Sequence, residues 1–407
     1  MANTLKFGNG EWYGKKDTIL AYNDENNNYK PLPFSFDRAS SATVINKNGL
    51  IETVGGGEPR IDYKDDSKGA LLLEPSRSNI LPYSEDFINA AWAKQNVTIN
   101  SNQIIAPDGT LTADKIIDNS TNSAHRITDG NTTSSSGSFT YSIFLKKGTL
   151  TTAQIQVFNS GTASSANVDL VNGTITSDGA GVDHKIENYG NDWFKCSISG
   201  TLSNTATTVY LYLKQKPSYI GNEDYLYAWG AQLEQGSYAT SYIPTQGSTV
   251  TRVAESCTNG GNEQVINSTE GVLYYESTYT DGSDYNSISI SNTSGTEKCR
   301  IWYDNTNLVF ATYVGGVNQT FIGYPISKGI TYKIGIRYKL NDFALFVDGV
   351  KATNIIVSLG GVSPANSYNH LSFTSGDIYS PFYGNIKDLR VYNTALTDQE
   401  LINLTTI

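Results

Sequence analysis

The chain has 407 residues, of which 38% are hydrophobic, 17% are charged and 11% are aromatic, and its formal net charge is −10. This length suits two or three domains, and the aromatic content argues against a disordered chain, because disordered segments are poor in aromatic residues. The acidic charge argues against nucleic-acid binding, which needs clustered Lys and Arg, and no apolar stretch is long enough to span a membrane.

The cysteines and the first residues bear on the compartment of the protein. Cys196, Cys257 and Cys299 are far apart in the sequence, and none belongs to a C-x-x-C pair. This pattern supports neither a zinc site nor a disulfide framework, and it fits assembly in a reducing cytoplasm. The opening sequence MANTLKFGNGEWYGKK lacks the apolar segment of a secretion signal. We therefore expect assembly in the cytoplasm.

Residues 1–69 are rich in Asn, Gly and other turn-forming residues, with only short apolar pieces between them. Asn48-Gly49 lies between two such pieces, at 42–45 and 50–54, and predicts a two-residue hairpin turn. The region has too few apolar residues to build a large core by itself. Two interpretations are open: a separate β-rich region, or an N-terminal extension of the sandwich that follows.

Residues 70–256 are predicted to form a β-sandwich of short alternating strands. An apolar strand at 71–73 should end at Pro75, and Ser84, followed by two acids, predicts a helical turn. The period of two along the strands assigns each side chain to one face of its sheet. The residues predicted to face inward are Phe139, Tyr141, Ile143, Leu145, Ile155, Val157, Val209, Leu211 and Leu213, with Tyr210 and Tyr212 on the opposite face.

Residues 257–407 are predicted to form a second β-sandwich, which follows a linker at 259–262. Alternating strands continue to an Asp-Gly hairpin signal at 348–349. Thr397 to Glu400 is a T-x-x-E capping box ahead of an apolar helical face, and it predicts a short terminal helix. The whole chain is therefore expected to be all-β, with a β-rich N-terminal region followed by two β-sandwiches.

Two carboxylates are candidates for catalysis, because Glu74 and Glu234 each close a strand in related stretches of sequence. A glycosidase needs two carboxylates a few ångströms apart with different pKa values. The alternative is structural: each glutamate accepts backbone N–H bonds from the turn that follows it. We favour the structural alternative, since both residues lie inside strand-ending motifs. The three histidines are scattered, and none has a nearby serine or cysteine in a nucleophile motif such as G-x-S-x-G. No catalytic residue is therefore assigned.

A metal site is a further candidate in the second sandwich. Asp281 and Asp284 lie in a loop rich in Asp and Gly, which has two interpretations: a set of calcium ligands or a solvated turn. The loop lacks the D-x-D-x-D-G spacing. No other cofactor is expected.

Aromatic side chains are the remaining candidates for ligand binding. Sugar binding by β-sandwiches uses an aromatic ring that stacks on a pyranose, with amides and carboxylates around it. Trp193 and Trp229 lie in strand-like motifs and are expected in the core. The candidates for a sugar-binding ring are Trp302, Tyr303, Tyr379 and Tyr383.

Two stretches resemble the opening and closing strands of a β-jelly-roll module of bacteriophage fibre proteins. They are LLLEPSRSN at 71–79 and YLYAWGAQLEQGSYATSYIPT at 225–245, which is followed by Thr-Arg at 251–252. The resemblance extends upstream to FDRASSATVINKNGLIETV and to LKFGNGEW, which is similar to the start of fibre proteins from phages of Bacteroidetes. It implies a virion-attachment region at 1–69 and a jelly roll similar to carbohydrate-binding modules at 70–256.

The C-terminal sequences FALFVDGV and FYGNIKDLRVYNTALTDQELINL resemble the last strands and terminal helix of concanavalin A-like, laminin-G-like sandwiches. This resemblance covers about 265–407. It implies a lectin-like fold for the domain at 257–407 and does not imply a particular activity.

Together the resemblances imply a non-enzymatic structural subunit of a bacteriophage virion, a head fibre or a tail fibre, assembled in the bacterial cytoplasm. Fibre proteins are usually homo-oligomers, often trimers, so the partners implied are other virion proteins, further copies of the chain, and host-surface or mucosal glycans. Weak sites repeated on one particle would give strong multivalent adhesion. The alternatives are a polysaccharide depolymerase or glycosidase, and a capsid decoration protein without a ligand.

Overall fold

The computed structural model describes residues 4–23, 28–133, 136–159, 162–178, 183–202, 206–215, 218–279, 286–304, 306–376 and 380–406. These residues form β-strands and, near the C-terminus, one α-helix. The expectation of an all-β protein built from β-sandwiches is confirmed. Among these residues, no helix has the length and apolarity needed to cross a membrane.

Eight strands precede residue 76. They are β1 (Leu5–Gly8), β2 (Tyr13–Lys15), β3 (Thr18–Asn23), β4 (Asn28–Asp37), β5 (Ala42–Ile45), β6 (Ile51–Val54), β7 (Ile61–Asp62) and β8 (Ala70–Leu73). Gly49 has a φ of +76° in the turn between β5 and β6, a conformation that favours glycine, so the predicted hairpin is confirmed. Its loop is longer than the predicted two residues, because the N–H of Asn46 bonds to the carbonyl oxygen of Leu50 at 2.9 Å, with three residues between them.

Sixteen strands occupy the middle of the chain. They are β9 (Arg77–Asn79), β10 (Trp92–Gln95), β11 (Val97–Ile104), β12 (Ala113–Asp118), β13 (Asn122–Ser123), β14 (Arg126–Thr133), β15 (Gly137–Lys147), β16 (Thr152–Asn159), β17 (Thr162–Asp169), β18 (Thr174–Asp178), β19 (Asp183–Asn188), β20 (Trp193–Leu202), β21 (Ala206–Tyr212), β22 (Tyr219–Ile220), β23 (Tyr225–Gln235) and β24 (Val250–Arg252).

Twelve strands and the helix complete the described chain. They are β25 (Ser256–Thr258), β26 (Glu270–Tyr279), β27 (Asn286–Ser291), β28 (Lys298–Tyr303), β29 (Asn307–Val314), β30 (Val317–Pro325), β31 (Thr331–Lys339), β32 (Ala344–Val347), β33 (Val350–Lys351), β34 (Asn354–Ser358), β35 (His370–Ser372), β36 (Gly384–Tyr392) and α1 (Asp398–Thr405).

The chain divides into two compact units. Unit 1 consists of Met1–Ser41, Val54–Pro75 and Ala254–Ile407, and unit 2 consists of Ala42–Thr53 and Ser76–Val253. In sequence, unit 2 is therefore inserted into unit 1 in two pieces.

In unit 1, β36 pairs with strands from distant parts of the chain. One of its edges pairs with β26, and the other pairs with β1, where Leu5 is opposite Val391, and with β8, where Leu71 is opposite Ile386. The twelve-stranded sheet runs β25-β4-β3-β1-β36-β26-β31-β32-β33, with β2, β7 and β8 as branches. A six-stranded sheet, β34-β30-β29-β28-β27-β35, forms the second layer, and residues of both sheets make one apolar core.

This architecture differs from the predicted domains at 1–69, 70–256 and 257–407. Strands β1, β2, β3, β4 and β7 belong to the same sheet as β36, so residues 1–69 are neither a separate region nor wholly an extension of the jelly roll. The hydrogen-bonding edge of β36 needs partners, and β1 and β8 supply them. Only the hairpin β5–β6 follows the extension hypothesis, because it belongs to unit 2.

Unit 2 is a sandwich of two six-stranded sheets. The sheet orders are β10-β14-β21-β16-β17-β18 and β11-β12-β23-β15-β20-β19. The predicted inward rows are confirmed, since their side chains lie in one apolar core between these sheets. A smaller core forms where the β5–β6 hairpin contributes Ile45 and Ile51 to a cluster with Trp193 and Trp229, both buried as expected.

Two local predictions are wrong. Ser84 does not cap a helix: its hydroxyl accepts the backbone N–H of Thr245 at 2.9 Å and bonds to the Tyr242 hydroxyl at 2.7 Å. The residues that follow it form turns. The expected linker at 259–262 is part of unit 1, because the backbone groups of Gly260 and Leu371 exchange two hydrogen bonds of 2.9 and 2.7 Å.

The predicted C-terminal helix is confirmed. The Thr397 hydroxyl accepts the N–H of Glu400 at 3.3 Å, and the Glu400 carboxylate accepts the N–H of Thr397 at 2.8 Å. This reciprocal pair satisfies backbone donors that the first helical turn leaves free. Leu401 is fully buried and packs with Val272, Phe346 and other side chains on one face of the twelve-stranded sheet.

The buried carboxyl group of Asp114 makes a pH-dependent contribution to the stability of unit 2. It accepts the N–H groups of Phe87 at 3.2 Å and Asn102 at 3.0 Å, but burial outweighs these bonds and raises its pKa to about 6. The unfolded value is about 3.9, so the folded state binds the proton more tightly, and this contribution grows as the pH falls from 7 towards 4. The free energy of unfolding of the native protein and of Asp114→Asn can be measured by urea titration at pH 7.5 and at pH 5. The native protein should be more stable, relative to the variant, at pH 5 than at pH 7.5. A difference that is the same at both pH values would contradict this prediction.

Candidate functional site

The outward surface of one sheet of unit 2 is the best candidate for a binding site. In the sheet β10-β14-β21-β16-β17-β18, Ile127, Val209 and Leu211 are fully buried and point into the core. Because side chains alternate along a strand, the residues between them point to the opposite surface. Six strands about 4.8 Å apart make this surface about 24 Å wide.

Two cross-strand rows define this surface, which we call the Tyr210 face. Residues that are directly opposite each other on paired strands lie on the same face of a sheet. The first row consists of Gln95, Arg126, Tyr212, Gln154, Asn167 and Thr176. The second row consists of Ala93, Thr128, Tyr210, Gln156, Ser165 and Asp178, and beside it lie Phe158, Thr208 and Ala163.

Two tyrosines and an arginine form the centre of one half of the face. The rings of Tyr210 and Tyr212 are stacked, with centroids 5.7 Å apart and planes 16° from parallel. The guanidinium carbon of Arg126 lies 4.8 Å from the Tyr210 ring and 5.4 Å from the Tyr212 ring. Arg126 donates to the Tyr212 hydroxyl at 2.7 Å, and that hydroxyl donates to Gln156 Oε1 at 3.2 Å. These contacts hold the two rings in a fixed arrangement.

Amides and a carboxylate form the other half. Gln154 Nε2 donates to Asn167 Oδ1 at 2.9 Å and to Asp178 Oδ2 at 3.3 Å. Asp178 and Thr176 are exposed at the edge strand β18. The exposed ring of Phe158, 37% accessible, lies on the same surface. This half therefore offers an apolar ring beside hydrogen-bonding groups.

The face has hydrogen-bonding capacity that the protein does not use. Gln154 is 1% exposed, and its Oε1 has no hydrogen-bond partner among the described residues; the same is true of the buried Oγ1 of Thr128. Polar atoms buried without a partner cost free energy, so they are uncommon in folded proteins. Two of them on one face indicate a surface that is completed by water or a ligand.

The residue types and their placement suit the binding of a polyhydroxylated molecule. Tyrosine and phenylalanine rings provide flat apolar area, while Gln, Asn, Thr and Asp provide donors and acceptors around it. Ligand sites combine apolar contact with a few polar groups that fix orientation. The Tyr210 face has both properties over a width that several sugar rings could occupy.

The predicted sugar-binding residues of the second sandwich do not form one site. Tyr303 is fully buried in the core of unit 1, and Tyr383 packs half-buried against the same core. Trp302 lies on the opposite surface of its sheet, under the Arg300 guanidinium at 4.5 Å and against Phe321, and it is only 6% exposed. Period-two alternation explains this result, because adjacent residues such as Trp302 and Tyr303 must face opposite sides.

Three further candidates, Tyr379, Asp281 and Asp284, lie outside the described residues. Within the described part of the chain, no group of three or more His, Cys, Asp and Glu side chains is placed to hold a metal ion. The calcium hypothesis for Asp281 and Asp284 therefore stays untested.

The two candidate catalytic glutamates have structural contacts. Glu234 is fully buried in unit 2 and accepts the backbone N–H of Thr240 at 2.9 Å and its hydroxyl at 2.6 Å, which confirms the structural alternative. Glu74 belongs to unit 1, where its carboxylate pairs with Arg60 at 2.7 Å. This ion pair with a residue 14 positions earlier was not predicted from the sequence.

His125 is buried and has polar partners. Its Nδ1 lies 2.7 Å from the carbonyl oxygen of Asn96, and its Nε2 lies 3.1 Å from that of Thr121. Both ring nitrogens of this histidine therefore lie close to carbonyl oxygens in the interior.

The alternation of residues along the predicted strands is a sequence signal for the Tyr210 face. The alternation that placed Tyr210 and Tyr212 opposite the inward row was correct. Gln154 and Gln156 show the same alternation on β16, but only strand pairing brings these four side chains together.

No family model and no curated protein matches the chain. Among solved structures, the chain is similar to a Ruminococcus gnavus sialidase module of the CBM40 type bound to α2,3-sialyllactose, with 15% identity, 34% of this chain and 83% of that one covered, and a TM-score of 0.29. It is also similar to domain 4 of a Geobacillus stearothermophilus arabinanase in complex with arabinotriose (12% identity, 42% and 83% covered, TM-score 0.31). A third similar structure is the mouse laminin α1 domain pair LG4-5 (13% identity, 68% and 90% covered, TM-score 0.25). At these values the similarities do not say what this chain binds.

Proposed function

We propose that the protein is a non-enzymatic glycan-binding protein and that the Tyr210 face is its binding surface. The observation that carries the proposal is the fixed arrangement of Tyr210, Tyr212 and Arg126 within continuous rows of polar residues. In these rows, Gln154 Oε1 and Thr128 Oγ1 are buried and have no hydrogen-bond partner among the described residues. Stacking on the accessible rings of Tyr210 and Phe158 and hydrogen bonds to the amides would together hold sugar rings in one orientation.

We further propose that the chain is a bacteriophage head or tail fibre subunit that adheres weakly and multivalently to host-surface or mucosal glycans. This part rests on the sequence resemblance to phage fibre proteins. Homo-oligomerisation, as a trimer for example, would multiply weak sites into strong adhesion. The strands of residues 1–69 that would contact the virion belong to the unit 1 sheet, where β1 pairs with β36 and β7 pairs with β8, except for the β5–β6 hairpin of unit 2.

Replacing Tyr210 with alanine should weaken glycan binding about tenfold or more, since a stacked ring contributes on the order of 1.4 kcal/mol or more. The measurement is binding of the full chain to a glycan array, followed by titration calorimetry with the strongest hit. Tyr227→Ala is the matched control, because Tyr227 is a half-buried tyrosine of the other six-stranded sheet of unit 2. Its affinity should stay within twofold of the native value.

The outcomes separate the proposed function from its alternatives. Equal loss in both tyrosine variants, or an array without any bound glycan, would overturn binding at the Tyr210 face. Reducing-end release from a bound polysaccharide over time would show a glycosidase or depolymerase instead. Retained binding without release supports the adhesive role.

A further inference from the structure

We infer that the Arg126 end of the Tyr210 face recognises an acidic sugar residue, through a pair of anionic oxygens. This inference rests on the proposed glycan binding and specifies the ligand class of that same face. It comes from the state of the Arg126 guanidinium, which is fixed in position but not neutralised.

Contacts with neutral groups fix Arg126. Its Nε donates to Gln95 Oε1 at 2.7 Å, its Nη1 donates to the Tyr212 hydroxyl at 2.7 Å, and the guanidinium stacks on the rings of Tyr210 and Tyr212. A guanidinium has five N–H donors, so these two bonds leave three N–H groups, both of those on Nη2 among them, without a partner among the described residues. The free donors belong to a half-buried side chain on the outer surface.

The absence of an acidic partner distinguishes Arg126 from four other arginines of the chain. Among the described ion pairs, four arginines contact a carboxylate at 2.7 Å or less, whereas Arg126 takes part in none. The four are Arg38 and Arg60 with Glu255, Arg337 with Asp342 and Asp398, and Arg390 with Asp388. In a chain with a net charge of −10, a partly desolvated cation without a carboxylate is a site for an anion from outside.

The geometry favours an oxyanion that is attached to a sugar and presents two oxygens side by side. A guanidinium binds carboxylates and similar oxyanions with two parallel N–H bonds, which a lysine cannot reproduce. The Tyr210 ring beside it supplies a stacking surface for the sugar that carries the acid. Asp178 lies at the opposite edge of the face, four strands from Arg126, so repulsion there would direct the acidic residue towards β14. The shared chemistry is a carboxylate or a sulfate ester, and the experiment separates these two.

The test uses the full chain on an array in which each acidic glycan is printed beside its neutral counterpart. Carboxylated glycans are paired with their methyl esters, and sulfated glycans with their desulfated forms. We expect at least one acidic member to bind about tenfold more tightly than its counterpart. Arg126→Gln should remove that preference, because it should weaken binding of the acidic member about tenfold more than binding of the neutral member, while Arg126→Lys should restore only part of the preference. The pair that shows the preference identifies carboxylate or sulfate.

Thermal unfolding of each variant provides the folding control, because Arg126 also bonds to Gln95 and Tyr212. As a second measurement on the unmodified protein, the acidic preference should shrink between 50 and 500 mM salt, as screening requires. No acidic preference in any pair, or equal loss of acidic and neutral binding in Arg126→Gln, would overturn the inference. If neutral glycans still bind and their binding depends on Tyr210, the proposed function stands although the inference about acidic sugars fails. If no glycan binds, both fail.

Discussion

Replacing Glu255 with alanine is expected to destabilise unit 1 by about 3–5 kcal/mol, because the substitution leaves two buried guanidinium groups without their main counter-charge. Glu255 Oε1 accepts from Arg38 at 2.7 Å and from Arg60 at 2.8 Å, and Oε2 accepts from Arg60 at 2.5 Å. Both arginines are 0% exposed. Burial acts to lower the pKa of Arg60, but Glu255 and Glu74 outweigh it and raise that pKa above its usual value. The charge network thus depends on Glu255.

The destabilisation of unit 1 can be measured by a denaturant titration in which hydrogen–deuterium exchange of peptides from each unit is the readout. The exchange protection of β26 and β36 should collapse at lower denaturant in Glu255→Ala, whereas the peptides of β15 and β23 serve as the reference from unit 2. Glu270→Ala is the matched control: its pair with Lys339, 3.1 Å long, is partly exposed, and such pairs contribute about 1 kcal/mol or less. Equal effects of Glu255→Ala and Glu270→Ala would show that the buried network does not stabilise unit 1.

Replacing Trp229 with alanine should destabilise unit 2 by about 3–5 kcal/mol, the usual range for removing a buried tryptophan. Its ring is 1% exposed and lies 4.6 Å from the ring of Tyr242 and 5.3 Å from that of Phe144, between centroids. Its Nε1 also donates to Thr112 Oγ1 at 3.1 Å. The substitution therefore opens a cavity and removes one hydrogen bond.

Urea unfolding monitored by near-ultraviolet circular dichroism and by exchange of unit 2 peptides gives the free-energy change. Trp229→Phe should lower the free energy of unfolding less than Trp229→Ala does, because phenylalanine keeps much of the aromatic volume and mainly removes the hydrogen bond to Thr112. Ile88→Ala is the surface control in the same unit, because Ile88 is 53% exposed, and it should change stability by less than about 0.5 kcal/mol. If Trp229→Ala lowered the free energy of unfolding as little as Ile88→Ala does, the small core beside the β5–β6 hairpin would contribute little to the stability of unit 2.

Local sequence patterns were sufficient for the strands, the turns and the helix. The period of two placed Tyr141 and Leu211 in the core, an Asn-Gly pair predicted the β5–β6 turn, and a capping box predicted α1. Each of these signals acts between residues that are close in the sequence, so physical rules that relate neighbours are enough to find them.

Pairings between distant residues could not be predicted in this way. Nothing near Leu5 indicates that its partner is Val391, and nothing near Arg60 points to Glu255. A strand edge accepts many partners, and the choice depends on the whole chain. The error at Ser84 has the same origin, because two distant partners, the N–H of Thr245 and the hydroxyl of Tyr242, replaced the local cap.

The candidate site shows the same limit. The composition indicated aromatic and amide side chains of a kind that binds sugars, but the residues chosen from the second sandwich included Tyr303, which proved to be core. The Tyr210 face joins residues from six strands, and its rows exist only once β14, β21 and β16 are paired in register. Strand order is therefore the missing information.

The interleaving of β1 and β8 with β36 has a consequence for biosynthesis. During translation, all residues of unit 2 have been made once residue 253 has been added, so its two sheets can close while the ribosome is still working. The N-terminal strands must wait for positions 384–392, which at 5–20 residues per second arrive roughly 7–28 s later. Throughout that interval the edges of β1 and β8 lack their partner, and unpaired edges attract other nascent chains. The yield of correctly folded protein should therefore depend on chaperone protection during synthesis more than a sequential arrangement of domains would require.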